Sequence, residues 1–222
     1  MNRKITIISD FDGTISERDI GHHFFGTFIP DKEQWQELLR RWKFGLVSSK
    51  ECLEREISWV KARRKDLDQF IGNETLDPYF KDFVDFCNRR RFDILILSDG
   101  LDYYIDYLLM KFGLGFLRFK ANKLVLRNGN ISGIAFPYYN MMECTMCANC
   151  KKYHLEQLKE EDHYIIYVGN GFSDRCPAGY ADMVLAKGDL LDHCQQEEID
   201  CIPFRNFRDV ERELTTRLIL SR

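Results

Sequence analysis

The chain opens with a β-branched run, Lys4-Ile5-Thr6-Ile7-Ile8-Ser9, that breaks off into Asp10-Phe11-Asp12-Gly13-Thr14. A short, continuously apolar run bounded by turn residues reads as a buried strand opening into a loop. The period then changes. Trp35, Leu38, Leu39 and Trp42 recur at i, i+3, i+4 and i+7, which is one face of a helix. Ser48 and Glu51 have capping-box spacing ahead of a second helix carrying Leu53, Ile57 and Val60. Leu67, Phe70 and Ile71 mark a third. Residues 16–73 therefore read as an inserted helical subdomain, and 1–15 with 74–222 as the core domain it interrupts.

Past this block, strand and helix patterns alternate. Asp77-Pro78 starts a helix with Phe80, Phe83, Val84 and Cys87 on one face. Asp93-Ile94-Leu95-Ile96-Leu97 is a second buried strand that ends in Ser98-Asp99-Gly100, and a helix follows to Phe112. Asn128-Gly129 within 117–136 predicts a small β-hairpin region. A helix over 151–160 precedes a third strand, Tyr164-Ile165-Ile166-Tyr167-Val168, which ends in Gly169-Asn170-Gly171. Met183-Val184-Leu185-Ala186 and Cys201-Ile202-Pro203-Phe204 give two more strands, and the last helix spans 206–220. The fold class is α/β, a mainly parallel sheet with helices on both faces. Ligands of such sheets bind beyond the carboxyl ends of the strands, so the polar residues ending each strand are the place to look for chemistry.

Composition narrows the classes. The chain has 222 residues, 45% of them hydrophobic and 30% charged, which suits a globular protein with a substantial core. A net charge of -3, with basic residues spread along the chain, argues against nucleic-acid and membrane-surface partners. No window is apolar over the roughly 18 residues that a membrane span needs. Asp10 and Asp12 interrupt the first apolar segment too early for a secretory signal. The expectation is a cytoplasmic protein, with its eight cysteines reduced rather than paired.

Asp10 and Asp12 are two apart, so an extended backbone can turn both carboxylates to one side. Carboxylates that close repel, and a bound Mg²⁺ relieves the repulsion while accepting phosphate oxygens. Taken alone, the segment also suits a strand-terminal turn. Ser98, followed by backbone N–H groups of Asp99 and Gly100, can hold an anionic oxygen, or form a plain hydroxyl turn. In the loop Gly169-Asn170-Gly171-Phe172-Ser173-Asp174, the glycines allow close backbone approach, and Asp174 offers a further hard oxygen. Lys151 precedes the third strand by one helix, where its ammonium could reach the same spot; Lys152 stands beside it.

Carboxylates, a hydroxyl, a lysine and another carboxylate, in that order and each at or near a strand end, resemble the four motifs of the haloacid dehalogenase superfamily of phosphatases. The resemblance covers nearly the whole chain, because that family carries a helical cap in the slot of residues 16–73. It implies a Rossmann-like core under the cap, and Asp10 as the nucleophile that forms an aspartyl-phosphate. Asp12 would protonate the leaving oxygen and then activate water. Ser98, Asp99, Gly100 and Lys151 would bind the transferring phosphoryl oxygens. Mg²⁺ would be held by Asp10, Asp12 and Asp174, with Asn170 standing where the family usually has an aspartate.

Within the family, similarity to phosphoserine phosphatases places Asp19 at the cap entrance, where an acidic residue meets substrate, with His22 and His23 one turn further on. Cys150-Lys151 and Asp174-x-Cys176-Pro177 resemble phosphocholine/phosphoethanolamine and pyridoxal phosphate phosphatases. The overall layout is closer to methionine-salvage phosphatases that act on a 2-hydroxy-3-keto-5-methylthiopentenyl phosphate. A closed cap implies a small phosphomonoester. Cys144-x-x-Cys147-x-x-Cys150 with His154 has spacing that suits Zn²⁺ or part of an iron–sulfur cluster, and equally a tight loop of thiols feeding the Lys151 helix. Phosphotransfer to an acceptor other than water, and a metal- or redox-responsive binding module, are the competing classes.

Overall fold

The computed structural model describes residues 3–219. Its strands are β1 (Lys4–Ser9), β2 (Asp93–Leu101), β3 (Arg118–Arg127), β4 (Asn130–Ala135), β5 (His163–Gly169), β6 (Met183–Ala186) and β7 (Ile202–Pro203). They form one sheet in the order β4-β3-β2-β1-β5-β6-β7. Every pairing is parallel except the β3–β4 hairpin. The order reverses at β1, whose Ser9 stands opposite Ile96 on one side and Val168 on the other. Three strands therefore release their loops side by side at the switch point of the sheet. Ile7, Ile8, Ile96, Leu97, Ile166 and Val168 are fully buried, as unbroken apolar runs require.

Four helices follow β1: α1 (Ile20–Phe28), α2 (Lys32–Lys43), α3 (Ser49–Trp59) and α4 (Arg64–Gly72). The caps follow local chemistry. The side chains of Asp19, Asp31 and Ser48 accept the N–H groups of His22, Gln34 and Glu51. At the neck of the insertion Ser16 pairs with Leu76, and Asp77 N–H donates to the Ile15 carbonyl at 2.8 Å. At its far side Arg63 pairs with Asn130 of β4, and Ser49 N–H donates to the Met146 carbonyl at 2.7 Å. One apolar cluster runs from Ile20, Phe24, Ile57 and Ile71 through Phe83 and Leu108 to the sheet. The helical block is thus a roof continuous with the core.

The remaining helices are α5 (Phe80–Arg90), α6 (Asp102–Lys111), α7 (Lys151–Glu160), α8 (Arg175–Ala178), α9 (Gly188–Gln196) and α10 (Phe207–Leu214). The structure adds α1, α9 and the single turn α8 to the sequence expectation. Helix α1 is apolar on several sides because it is wedged into the core, so it shows no single stripe. In α9 only Leu190 and Cys194 are buried, too few positions to declare a period. The last helix passes into a π-turn at Thr215–Ile219; position 220, its expected end, lies outside the described residues. The fifth predicted strand shortens to Ile202–Pro203 at the sheet edge, where a proline costs no ladder bond.

Candidate active site

The first strand delivers Asp10 to the sheet rim, where its N–H donates to the Val168 carbonyl of β5 at 2.9 Å. Lys151 opens α7 and is 2% exposed. Its Nζ lies 2.6 Å from Asp10 Oδ1 and 2.6 Å from Asp174 Oδ1. Burial alone would lower the pKa of this ammonium, but the two carboxylates raise it, and the net shift is upward. Lys152 points away, toward the Tyr180 hydroxyl and Glu156 at the surface. Burial raises the pKa of Asp10, the charges of Asp174 and Asp12 add to it, and Lys151 opposes.

Asp12 is held by four donors. Oδ1 accepts the N–H groups of Ile20 and Gly21 at 3.1 and 3.2 Å. Oδ2 accepts the hydroxyls of Ser98 and Tyr104 at 3.1 and 2.7 Å. Burial, aided by the charge of Asp19, pushes its carboxyl up to about 7, against those hydrogen bonds. A carboxyl poised there can both give and take a proton near neutral pH. Gly100 N–H donates to Ser98 Oγ at 2.9 Å and orients it. A side chain at Gly100 would place Cβ 1.7 Å from the Tyr104 hydroxyl, so only glycine fits. Gly13 has φ +69°, and a Cβ there would meet Asn170 Nδ2 at 2.6 Å.

Several expectations change here. Asp174 Oδ1 accepts Lys151 and the Tyr167 hydroxyl, and Oδ2 accepts the N–H groups of Asn170 and Gly171. It is fully buried and absent from the cavity wall, so it anchors Lys151 and the loop and is not placed as a direct metal ligand. Asn170 does face the cavity, with Oδ1 accepting the Thr14 hydroxyl at 2.7 Å. Asp99 is not placed to bind phosphate through its side chain, because Oδ1 accepts Asn149 N–H at 2.6 Å and a carboxylate repels an anion. Gly100 lines the cavity, with its N–H donating to Ser98 Oγ.

The roof encloses a cavity of about 160 Å³ above Asp10 and Asp12. Asp19 and His22 line it, with His22 packed on Trp35 at 4.8 Å. His23 does not; its Nδ1 lies 2.8 Å from Glu74 Oε1, away from the cavity. Trp42 of α2 meets Phe172 of the loop after β5 at 5.0 Å, joining roof to core across the opening. Tyr104, Tyr167 and Glu56 are site residues the sequence does not reveal: the tyrosines sit in helix and strand patterns as ordinary core positions, and Glu56 sits among the charged residues of α3.

Residues 5–194 match the model of the family described as "Putative Phosphatase". The chain belongs to this family. It is a phosphatase with the fold of the haloacid dehalogenase type. Among curated relatives, the chain is 28% identical over 217 residues to a 2-hydroxy-3-keto-5-methylthiopentenyl-1-phosphate phosphatase of Brevibacillus brevis, with 96% of each covered. It is 29% identical to the enzyme of the same name from Geobacillus kaustophilus, with 95% of each covered. Among solved structures, a phosphoserine phosphatase in a phospho-aspartyl intermediate analogue state superimposes with TM-score 0.75 at 20% identity, covering 96% of this chain and 99% of that one. The last match shows the fold.

The loop that leads into the lysine helix of this phosphatase holds the clustered cysteines. Asn149 is 1% exposed and ties it down: its amide donates to the carbonyls of Ser98 and Lys120 at 2.9 and 3.0 Å. His154 is turned to Asn149 rather than grouped with Cys144, Cys147 and Cys150. Its Nε2 lies 3.1 Å from Asn149 Oδ1, and burial drops its pKa to about 4. Among the described residues no three His, Cys, Asp or Glu side chains stand close enough to share a metal. Burial, with Asp99 and the neighbouring Cys144, Cys176 and Cys150, pushes the Cys147 thiol up and keeps it protonated. Among the described residues no helix is long and apolar enough to cross a membrane.

Proposed function

We propose that this phosphatase is a Mg²⁺-dependent phosphomonoesterase for a small metabolite, with Asp10 as nucleophile and 2-hydroxy-3-keto-5-methylthiopentenyl-1-phosphate, the substrate in its relatives' names, as the leading candidate. One observation carries the reading: Lys151 is fixed between Asp10 and Asp174 under a roofed cavity that also exposes Asp12. A lone buried ammonium satisfied by two acids could be structural; beside a second acid held at a pKa of about 7 it forms a nucleophile and proton-donor pair.

The Asp10 carboxylate attacks phosphorus while the ester P–O bond breaks, and Asp12 passes its proton to the departing oxygen. The aspartyl-phosphate then yields to water: Asp12 takes a water proton, the new P–O bond forms and the bond to Asp10 breaks. Lys151 offsets charge on the transferring phosphoryl group, and Ser98 can turn its hydroxyl from Asp12 to a phosphoryl oxygen. Asp174 and Tyr167 keep Lys151 in place. The inner cavity gathers Asp10, Asp12, Asp19, Glu56 and Asp99, and among the described residues no lysine or arginine lines it. Asp10, the Asp12 carbonyl and the Asn170 amide oxygen are hard donors. That set fits Mg²⁺, which when bound would lower the charge opposing a phosphate dianion. The roof over 16–73 excludes bulk water and selects the leaving group.

The test is phosphate release from 4-nitrophenyl phosphate with and without Mg²⁺, followed by a panel of phosphorylated metabolites. Release should need Mg²⁺ and vanish in a folded Asp10→Asn variant. Release that survives Asp10→Asn would overturn the assignment, and product analysis with added alcohols separates transfer to water from transfer to another acceptor.

A further inference from the structure

The roof places a buried carboxyl in the cavity that phosphate chemistry does not use. Glu56 of α3 is 4% exposed and lines the same cavity as Asp10 and Asp12. Its Oε1 accepts the Trp35 indole N–H at 2.7 Å. The walls beside it are apolar, from Phe25, Leu39 and Leu53. Among the described residues, Arg40 and Lys43 line only the outer vestibule, so neither waits inside for a substrate carboxylate.

We propose that Glu56 is a specificity residue that works as a neutral carboxylic acid, donating a hydrogen bond from Oε2 to a carbonyl or hydroxyl oxygen of an uncharged leaving group, in a chamber that rejects leaving groups bearing a carboxylate. The proposal rests on the phosphatase reading of this cavity and names the substrate class within it.

Charge and geometry agree on this role. Oε1 accepts the Trp35 N–H and the Cys52 thiol also bonds this carboxyl, a weak partner that a substrate oxygen can outcompete for a proton on Oε2. Burial, with the charge of Asp19, pushes the carboxyl up to about 8, against hydrogen bonds from Trp35 and Cys52. The other titratable groups of the chamber are His22 beside Trp35, Tyr104 of α6 and, at the strand ends, Asp10, Asp12 and Asp99. Among them, an incoming carboxylate meets negative charge without a partner, and its desolvation is uncompensated. An ammonium would instead drive Glu56 to ionise. The apolar walls favour the neutral occupant, because a lone hydrogen bond orients an otherwise greasy group there.

The test uses the full chain with Mg²⁺ at pH 7 and compares dihydroxyacetone phosphate, phosphoethanolamine and phosphoserine. The hydroxyketone phosphate should lead phosphoserine by about 100-fold in kcat/KM, since leaving buried polar groups unpaired is the strongest source of rejection. Glu56→Leu should lower kcat/KM for the hydroxyketone phosphate about tenfold, chiefly through KM. Glu56→Gln, which keeps both an acceptor and a neutral donor, should restore most of that loss. The ratio of Glu56→Gln to wild type should rise above pH 8, where only the wild type ionises. Preference for phosphoethanolamine that Glu56→Gln removes would overturn the proposal in favour of an ammonium. So would equal loss on all three substrates in both variants, which marks a structural role. Failure of Asp10-dependent 4-nitrophenyl phosphate hydrolysis would sink the phosphatase reading as well; success there with the wrong rank order sinks the Glu56 proposal alone.

Discussion

The Tyr104 hydroxyl donates to Asp12 Oδ2 at 2.7 Å, from a helix that begins one residue after β2 ends. Tyr104 is 1% exposed, and its hydrogen bond is one of those that hold the Asp12 carboxyl down against burial. Tyr104→Phe should therefore raise the pKa of Asp12 and move the alkaline limb of the kcat/KM profile to higher pH. A fall in kcat of about tenfold is expected from losing one charge-assisted hydrogen bond at a proton-transfer group. An unmoved limb would place the proton transfer elsewhere.

Lys151 and its neighbour offer a clean contrast. Lys151→Met leaves Asp10 and Asp174 buried together without their cation, which costs about 3 kcal/mol or more. Thermal denaturation should show a drop of about 6 °C or more, together with loss of turnover. Lys152 lies on the Tyr180 ring at the surface, so Lys152→Ala should leave the melting temperature and turnover close to wild type. Equal effects from the two would mean the helix register is wrong.

Asn170 faces the cavity with a neutral oxygen where a carboxylate could stand. Adding one negative charge to a hard-oxygen site strengthens its hold on a divalent ion. Asn170→Asp should lower the Mg²⁺ concentration for half-maximal activity by about tenfold. Magnesium titration with the aryl phosphate reads this directly, and an unchanged midpoint would remove Asn170 from the ligand set.

Glu56 also predicts how stability varies with pH. Its folded-state pKa, about 8, lies above the ordinary value of 4.5. The native state thus binds the proton more tightly than the unfolded chain. That stabilisation is fully present below pH 4.5 and is lost as pH rises through 8. Glu56→Gln has no such loss, so its melting temperature relative to wild type should climb by about 5 °C between roughly pH 6 and pH 9. A constant difference would show that Glu56 is ionised throughout.

Asp10 and Asp12 are legible in the amino-acid order because an apolar strand that stops in two acids must carry both charges to the sheet rim, and β1, β2 and β5 do bring their ends together there. Asn128-Gly129 specifies its hairpin through turn chemistry alone. Local pattern fixes such features because hydrogen bonding and side-chain alternation act over a few residues. It does not say which atoms each polar group will meet. Asp174 is legible as an acid but not as one whose two oxygens are taken from within by Lys151, Tyr167 and the loop backbone. His23 is legible as a roof residue but not as the partner of Glu74. Tyr104 and Tyr167 look like core positions because burial gives a polar-tipped aromatic residue the same pattern as an apolar one, while Glu56 looks like one more charged residue of a solvated helix.

The local order of strands, turns and motif residues belongs to the sequence by itself, through short-range periodicity and capping. The tertiary structure alone decides the partners: which lysine reaches Asp10, which acid is spent on anchoring, and which carboxyl is left neutral in the roof. Those choices depend on contacts across 141 and 23 residues at Lys151, and on burial that only the packed chain creates.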